Sequence, residues 1–277
     1  TGTLDPRATG LLVICLGRAT KIAQFLADTD KTYEAEIRLG MASETYDEEG
    51  IDPTISAKPV PDLAEHEVRD ILGKFKGKIL QRVPAYSAVR VGGQRLYKLA
   101  RQRTAVEIPE REIEIEDIRL TRLDLPSIFF TVTCSKGTYV RTLANDIGER
   151  IGCGAYLKEL SRTRVGPFTL DEAISLNEIR HYRQAGSLKR HIKPIEEVLP
   201  FPSIQVKEHF TPFIISGRSP RLKDISEVEG EFSTDDMVCL KDHTGRVAAV
   251  GKARIGSEKL KEDHDIKHFF AYVRVLN

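Results

Sequence analysis

The sequence lacks the cysteine pairs, long apolar runs and signal peptide that mark several classes of protein. No two of its four cysteines form a C-x-x-C pair, so we expect buried, reduced thiols rather than a zinc site or a disulfide framework. The longest apolar runs are far shorter than a membrane span, and no signal-peptide pattern is present. These absences favour a cytoplasmic protein that does not enter a membrane.

The sequence also lacks nucleotide-binding loops and any large charge imbalance. Because there is no Walker-type loop or dinucleotide fingerprint, we expect no nucleotide cofactor, and we expect no other cofactor or metal ion. The formal net charge of the 277 residues is only +1, so an RNA-binding surface would have to be a local patch. With 40% hydrophobic and 30% charged residues, the chain has the composition of a globular protein with one large and one small domain.

The first twelve residues contain one carboxylate in a turn that glycines bracket. Pro6 pushes the residue before it, Asp5, toward an extended backbone, while Gly2 and Gly10 permit conformations that other residues resist. A continuous apolar run follows over residues 11–16. The pattern predicts an acid fixed on a tight loop and backed by a buried element. A plain turn aspartate ahead of a core strand fits the same residues.

Apolar periodicity predicts alternating helices and strands in the first half of the chain. Residues 22–26 favour a short amphipathic helix, and residues 33–39 alternate as a strand with one buried face. Tyr33 is the first inward residue of that strand, where it could line a pocket or belong to the core. The acidic, proline-rich residues 47–61 are predicted to form an exposed loop, and residues 68–75 a helix.

A short basic helix is predicted over residues 94–101, just after the pair Gly92-Gly93. The basic residues on and beside this helix are Arg90, Arg95, Lys98, Arg101 and Arg103. A small basic helix next to a flexible turn suits contacts with phosphates, although a solvated helix face would look the same.

A strand followed by a helix is predicted between residues 113 and 152. The apolar phase shifts between Ile115 and Ile118, which indicates a bulge, and a regular strand then ends at Cys134. Thr138 is the expected N-cap of the next helix and Gly152 its stop. Tyr139 and Arg141 fall in the first turn of that helix, where functional groups are common and structural arginines are equally common.

The last part of the chain predicts a small β domain. Residues 199–202 read as a linker, followed by a short helix near residues 207–216 and three strand-like runs over residues 237–240, 246–255 and 269–276. We therefore expect a large domain over residues 1–199 and a small one over residues 200–277.

Three strings in the sequence resemble signatures of the TruB family of tRNA pseudouridine synthases. They are TGTLDPRATGLL at the start, SKGTYVRTL near residue 140, and GCGAYLKELSRTRVGPF after residue 151. The resemblance implies an α+β pseudouridine synthase fold, with a central mixed or antiparallel sheet flanked by helices and a small C-terminal PUA-like β-barrel. It also implies that the chain begins inside a motif, because the family has a strand, a helix and a Gly-His pair ahead of this point.

The resemblance assigns roles to five residues. Asp5 would be the catalytic aspartate and Arg141 its cationic partner. Tyr33, in the string Lys31-Thr32-Tyr33, would pack on the target base, Tyr139 would contact the bound nucleotide, and Leu160 would wall the base pocket. The residues leave open whether Asp5 attacks as a nucleophile or acts as a base.

The same resemblance implies that the protein isomerises uridine 55 in the T loop of tRNA after flipping the base out of its stack. The strings PAYSA and L-Y-x-x-A-R resemble the family segment that contacts the T arm, so the implied RNA contacts include Arg90, Arg95, Lys98 and Arg101. Arg162 and Arg164 are further implied contacts, although Ser161 stands where the family often has an arginine. A monomer is expected.

Two alternatives remain open at this stage. A non-catalytic protein that binds or folds tRNA would also use basic segments and a PUA-like tail. A guide-RNA-dependent relative would share the string T-L-D-P and the PUA domain. The set of Asp5, Tyr33 and Arg141 favours an enzyme over a binding protein, and the continuation A-T-G-L-L favours the stand-alone bacterial enzymes.

Overall fold

The computed structural model describes residues 1–52, 54–262 and 269–276. Pro53, in the predicted loop, and residues 263–268 and Asn277, in the predicted C-terminal domain, lie outside the described residues. The strands and α-helices are, in chain order, β1 Thr9–Gly10, α1 Ala23–Ala27, β2 Lys31–Leu39, α2 Glu65–Gly73, β3 Gly77–Arg82, β4 Arg90–Val91, β5 Gln94–Arg95, α3 Leu96–Arg101, β6 Glu110–Asp124, β7 Ser127–Cys134, α4 Val140–Ile151, β8 Ala155–Val165, β9 Phe168–Thr169, α5 Leu176–Gln184, α6 Ile195–Val198, β10 Ser203–Val206, α7 Thr211–Ile214, β11 Ile225–Glu229, β12 Met237–Lys241, β13 Val247–Ala253, α8 Lys259–Glu262 and β14 Phe270–Val275.

The chain divides into two compact units. The larger unit comprises residues 2–13 and 28–173, and the smaller comprises residues 1, 14–27 and 174–277. Each unit has its own sheet and its own hydrophobic core.

The larger unit is built on a seven-stranded sheet. Its strand order is β1-β8-β2-β7-β6-β3, with β9 pairing β8. Strand β1 runs parallel to β8, and the other neighbours are antiparallel. A mixed sheet with helices packed on it confirms the predicted α+β class.

Helices α2 and α4 pack on the apolar face of this sheet. The predicted inward face of β2 is confirmed, because Ala35, Ile37 and Leu39 are buried beside Leu143 and Ile147 of α4. Glu36 on the opposite face is buried as well. Each leucine or isoleucine side chain buried in this way stabilises the fold by roughly 1.5–3 kcal/mol. The predicted bulge in β6 is also confirmed, because the pairing of β6 with β7 shifts register between Ile115 and Asp117.

Helix α4 begins and ends at positions that bring it close to β8. A Cβ at Gly148 would lie 2.1 Å from the backbone nitrogen of Ala155, so only glycine permits this approach. The predicted stop is confirmed at Gly152, which has a φ of 97°.

The predicted Thr138 cap is wrong. Tyr139 is the N-cap and gives no side-chain cap, because the Gln81 side chain of β3 takes that role and its Oε1 accepts from the Tyr139 amide at 2.8 Å.

The smaller unit contains a five-stranded sheet in the order β11-β10-β12-β13-β14. Strands β10 and β12 are parallel, and the remaining pairs are antiparallel. The three predicted strand-like runs are confirmed as β12, β13 and β14. Residues 22–26, predicted as one helix, form the end of a 3₁₀ helix, Gly17–Ile22, and then α1. No helix in the described part of the chain is both long enough and apolar enough to span a bilayer.

Candidate active site

Asp5 and Arg141 form a bidentate ion pair. The Arg141 Nε donates to Asp5 Oδ2 at 2.8 Å, and Nη2 donates to Asp5 Oδ1 at 3.4 Å. This two-point contact between a planar guanidinium and a carboxylate fixes both the position and the orientation of the acid. The structure therefore brings together the two residues that the sequence motifs paired.

The Asp5 loop, residues 2–11, is held in a tight conformation by its own backbone. The amide of Ala8 donates to the Asp5 carbonyl at 2.9 Å. Gly2 and Gly10 have φ values of 65° and 95°, which non-glycine residues rarely adopt. The predicted tight loop with bracketing glycines is confirmed.

The apolar run after the loop is only partly buried. Leu11 and Val13 belong to the core, but Leu12, Ile14 and Leu16 are 45%, 66% and 55% exposed. No regular element forms over residues 11–16. The predicted continuous buried element is therefore wrong, because successive side chains in an extended segment point to opposite sides.

Arg141 satisfies all of its hydrogen-bond donors inside the site. Besides Asp5, its guanidinium donates to the carbonyls of Thr45 and Tyr86 at 3.2 and 3.3 Å, and to Asp47 Oδ2 at 3.4 Å. A guanidinium has five N–H donors, and these contacts give each one an acceptor. Arg141 is thus a fixed cation, although only 8% of its side chain is exposed.

Asp47 is a site residue that the sequence motifs did not indicate. It falls in residues 47–61, which were predicted to form an exposed loop. In the structure it caps the 3₁₀ helix Glu48–Gly50, where its Oδ1 accepts from the Glu49 amide at 3.1 Å, while Oδ2 faces Arg141. The sequence around Asp47 shows only a common turn pattern, in which an aspartate accepts a hydrogen bond from the amide two residues later. This pattern is local and gives no sign of the contact with Arg141.

A small cavity of about 30 Å³ lies beside the Asp5–Arg141 pair and is lined by Leu160 and Asp47 as well. This is room for about two water molecules. Arg7 and Glu48, which pair at 2.5 Å, also line the cavity. A wider groove of about 690 Å³ adjoins it and shares Arg7, Glu48 and Leu160. No cluster of His, Cys, Asp and Glu that could hold a metal ion occurs among the residues that the structure describes.

Neither Tyr33 nor Tyr139 lines the small cavity beside the pair. Tyr33 begins the inward face of β2 and is half-buried next to Arg162. Burial raises the pKa of Tyr33, so its phenol stays protonated at neutral pH. Tyr139 is two residues before Arg141, and its backbone is anchored to Gln81.

Arg162 and Arg164 are used inside the protein. Arg162 is 2% exposed, and its guanidinium donates to the carbonyls of Leu11 and Gly2. Arg164 is half-buried and donates to Thr32 Oγ1 and the Gly166 carbonyl, both at 3.1 Å. Arg162 therefore has little surface to offer a phosphate, and its burial does not favour the RNA contact that was expected of it.

The predicted basic helix is shorter than expected. Gln94 and Arg95 form strand β5, and α3 begins at Leu96. Leu96 and Leu99 are its buried residues. The side chains of the four residues expected to contact RNA here are all exposed: Arg90, Arg95, Lys98 and Arg101. The hairpin of β4 and β5 thus presents a cationic surface.

The three cysteines Cys134, Cys153 and Cys239 are buried, whereas Cys15 is partly exposed, and all four are free thiols. Burial raises the pKa of Cys134 to about 11. The expectation that all four are buried is wrong for Cys15, which belongs to the partly exposed run.

Family models cover nearly the whole chain. Residues 1–140 match the model described as "TruB family pseudouridylate synthase (N terminal domain)". Residues 141–200 match the "tRNA pseudouridylate synthase B C-terminal domain", and residues 202–266 match the "PUA domain".

Individual proteins and structures agree with these models. The chain is 41% identical over 262 residues to the tRNA pseudouridine synthase B of Bacillus subtilis (strain 168), covering 90% of this chain and 82% of that protein. It is 49% identical over 181 residues to the protein of the same name from Francisella tularensis subsp. novicida, covering 65% and 59%. A solved structure titled "Structure of H/ACA RNP bound to a substrate RNA containing 2'-deoxyuridine" shares the fold, with a TM-score of 0.76 and 22% identity over 100% of this chain and 75% of the other. The chain therefore belongs to the TruB family of pseudouridylate synthases.

Proposed function

We propose that this protein is a tRNA pseudouridine synthase that isomerises uridine 55 in the T loop. The observation that carries the proposal is the ion pair between Asp5 and the buried Arg141, which lies beside a cavity walled by Leu160. The names of the relatives support tRNA as the substrate.

The reaction needs a carboxylate at the junction of sugar and base. The bond between N1 of uracil and C1′ of ribose breaks, the base turns, and C5 bonds to C1′; C5 loses its proton and N1 gains one. Reactant and product have the same formula, so no external oxidant or reductant enters the balance. Asp5 can attack covalently or remove a proton from the sugar, and the two-point contact with Arg141 holds its carboxylate in one orientation.

The target base has to leave its stack before Asp5 can reach it. The cavity beside Asp5 has room for about two water molecules, so a uracil ring enters only if the cavity widens. The Arg7–Glu48 pair lines both the cavity and the wider groove, and its separation would join the two. Leu160 would then pack on one side of the base, and Tyr33 and Tyr139 would contact the nucleotide.

Cationic groups away from the pair would hold the rest of the tRNA. The exposed residues of the β4–β5 hairpin and α3 would neutralise phosphates of the T arm. The PUA-like domain, residues 200–277, would bind a second part of the RNA. We propose that the enzyme acts as a cytoplasmic monomer.

The decisive experiment compares the wild type with Asp5→Asn on an unmodified tRNA transcript whose uridines carry tritium at C5. The wild type is expected to release one equivalent of tritium without added guide RNA, whereas Asp5→Asn releases none and still binds the tRNA. A transcript with cytidine at position 55 is the control for the site of reaction.

Three results would contradict parts of the proposal. Substantial turnover by Asp5→Asn would remove Asp5 from the chemistry. Binding and refolding of tRNA by the wild type with no tritium release would favour a non-catalytic tRNA-binding protein. Activity that appears only when a guide RNA is added would favour a guide-dependent enzyme.

A further inference from the structure

Arg162 is an arginine that is almost fully buried on β8, two residues after Leu160. Only 2% of its surface is exposed, and it is among the largest fully buried side chains. Burying a guanidinium is costly unless its donors are satisfied. Its partners among the described residues are backbone carbonyls and the side chain of Tyr33.

Those carbonyls belong to the two ends of the Asp5 loop. Arg162 Nε donates to the Leu11 carbonyl at 2.8 Å, and Nη2 donates to the Gly2 carbonyl at 2.9 Å. The Arg162 carbonyl also accepts from the Leu11 amide at 2.7 Å. One residue thus closes the loop that carries Asp5.

The glycines of the loop permit this close approach. A Cβ at Gly10 would lie 2.3 Å from the Arg162 carbonyl oxygen, and one at Gly2 would lie 3.5 Å from Nη1 of the same arginine. Both glycines have positive φ values, which side chains resist. Gly2 and Gly10 therefore leave the space that Arg162 needs to contact the loop.

We propose that Arg162 is a positioning residue for the reaction. Its guanidinium fixes both ends of the loop and thereby holds the Asp5 carboxylate against Arg141. The proposal rests on the catalytic role proposed for Asp5. Lysine cannot replace arginine here, because its single ammonium lacks the planar fork that reaches two carbonyls at once. A small displacement of a reacting group is enough to slow a reaction strongly.

The test compares Arg162→Lys with the wild type in single-turnover reactions on a tRNA transcript. We expect the rate constant at saturating enzyme to fall by at least about tenfold, while the dissociation constant for tRNA stays within about twofold. The matched control is Arg122→Lys, on β6, whose guanidinium lies 3.7 Å from the centroid of the Phe129 ring and not at the loop. It should keep its rate constant within about threefold.

Hydrogen exchange separates positioning from general stability. In Arg162→Lys the amides of Ala8 and Leu11 should exchange faster, while the amides of β2 and β7 remain as in the wild type. Faster exchange throughout the sheet, or equal rate losses in the two lysine variants, would overturn the proposal. So would an unchanged rate constant for Arg162→Lys.

The same series separates this proposal from the one on which it rests. If Asp5→Asn is inactive and Arg162→Lys is fully active, the positioning role fails and the catalytic role stands. If Asp5→Asn is active, the catalytic role itself fails. Should Arg162→Lys not fold, Gly2→Ala is the second variant, since it disturbs only one end of the loop; a normal rate constant for it would also count against the proposal.

Discussion

The guanidinium of Arg141 is buried while the carboxylate that it holds is not. Only 8% of the Arg141 side chain is exposed, against 44% of the Asp5 side chain. The cation is therefore a fixed part of the protein, and the acid it orients stays accessible to a substrate. This asymmetry suits the catalytic role proposed for Asp5, because the partner would need no rearrangement during the reaction.

Replacing Arg141 with lysine should lower the rate constant for pseudouridine formation by at least about tenfold, or about 1.4 kcal/mol. Lysine keeps the charge but cannot make the two-point contact with Asp5 while also serving Thr45 and Tyr86. Single-turnover tritium release would measure the change, with thermal unfolding as the control for folding. A rate constant near that of the wild type would mean that Arg141 serves the fold alone.

Replacing Asp47 with asparagine removes the negative charge but keeps the size of the side chain. Asparagine still caps the 3₁₀ helix Glu48–Gly50, so the turn should persist, but the hydrogen bond to Arg141 loses its charge assistance. We expect a fall of about tenfold in the rate constant with unchanged affinity for tRNA. Glu49→Gln is the control. Glu49 lies two residues after Asp47, but its side chain makes no hydrogen bond with Arg141 among the described residues. Equal effects of the two variants would exclude a specific role for Asp47.

The basic surface of α3 should contribute to RNA affinity through its charge. The double variant Lys98→Ala and Arg101→Ala should weaken tRNA binding and reduce the slope of log affinity against log salt by about 0.7–0.9 for each phosphate that is no longer neutralised. The control changes two other exposed lysines, Lys58 and Lys74, to alanine. Fluorescence anisotropy at several salt concentrations would give both slopes. Identical slopes for the two double variants would place the RNA elsewhere.

Glu36 should make stability depend on pH in the acid range. Its carboxylate is buried on β2, and it accepts from Ser127 Oγ at 2.7 Å and Lys158 Nζ at 2.9 Å. Burial alone would raise the pKa of Glu36, but these hydrogen bonds outweigh it and hold the pKa below its usual value near 4.5. A lowered pKa in the folded state stabilises the protein above the unfolded pKa, and this stabilisation is lost as the pH falls through the folded pKa.

Glu36→Gln should therefore lower the free energy of unfolding by about 1–3 kcal/mol at pH 7, with a smaller difference from the wild type below pH of about 4. Urea unfolding at several pH values would measure it. Glu34→Gln, on the same strand but exposed, is the control and should differ little from the wild type. A difference for Glu36→Gln that is constant with pH would show that its charge is not the cause.

The sequence predicted correctly those elements in which apolar residues recur at the period of the backbone. The inward face of β2 was correct because burial of one face imposes the period of the backbone on the sequence. The same reasoning placed Glu36 on the exposed face, yet it is buried, because Ser127 of β7 and Lys158 of β8 supply partners for its charge. The Thr138 cap failed for a similar reason, since Gln81 of another strand serves the helix start.

The glycine-bracketed loop around Asp5, the helix that carries Arg141 and strands β12, β13 and β14 of the smaller unit follow from the amino-acid sequence alone, whereas β10 and β11 were not predicted. Each depends on turn residues and on periodicity, which act between near neighbours. Tertiary packing was needed to show that Asp5 meets Arg141, 136 positions along the chain, that Asp47 joins them, and that Arg162 turns inward to the loop. Strand order and register decide such meetings, and they depend on the packing of the whole sheet, because a shift of one residue turns every side chain to the opposite face.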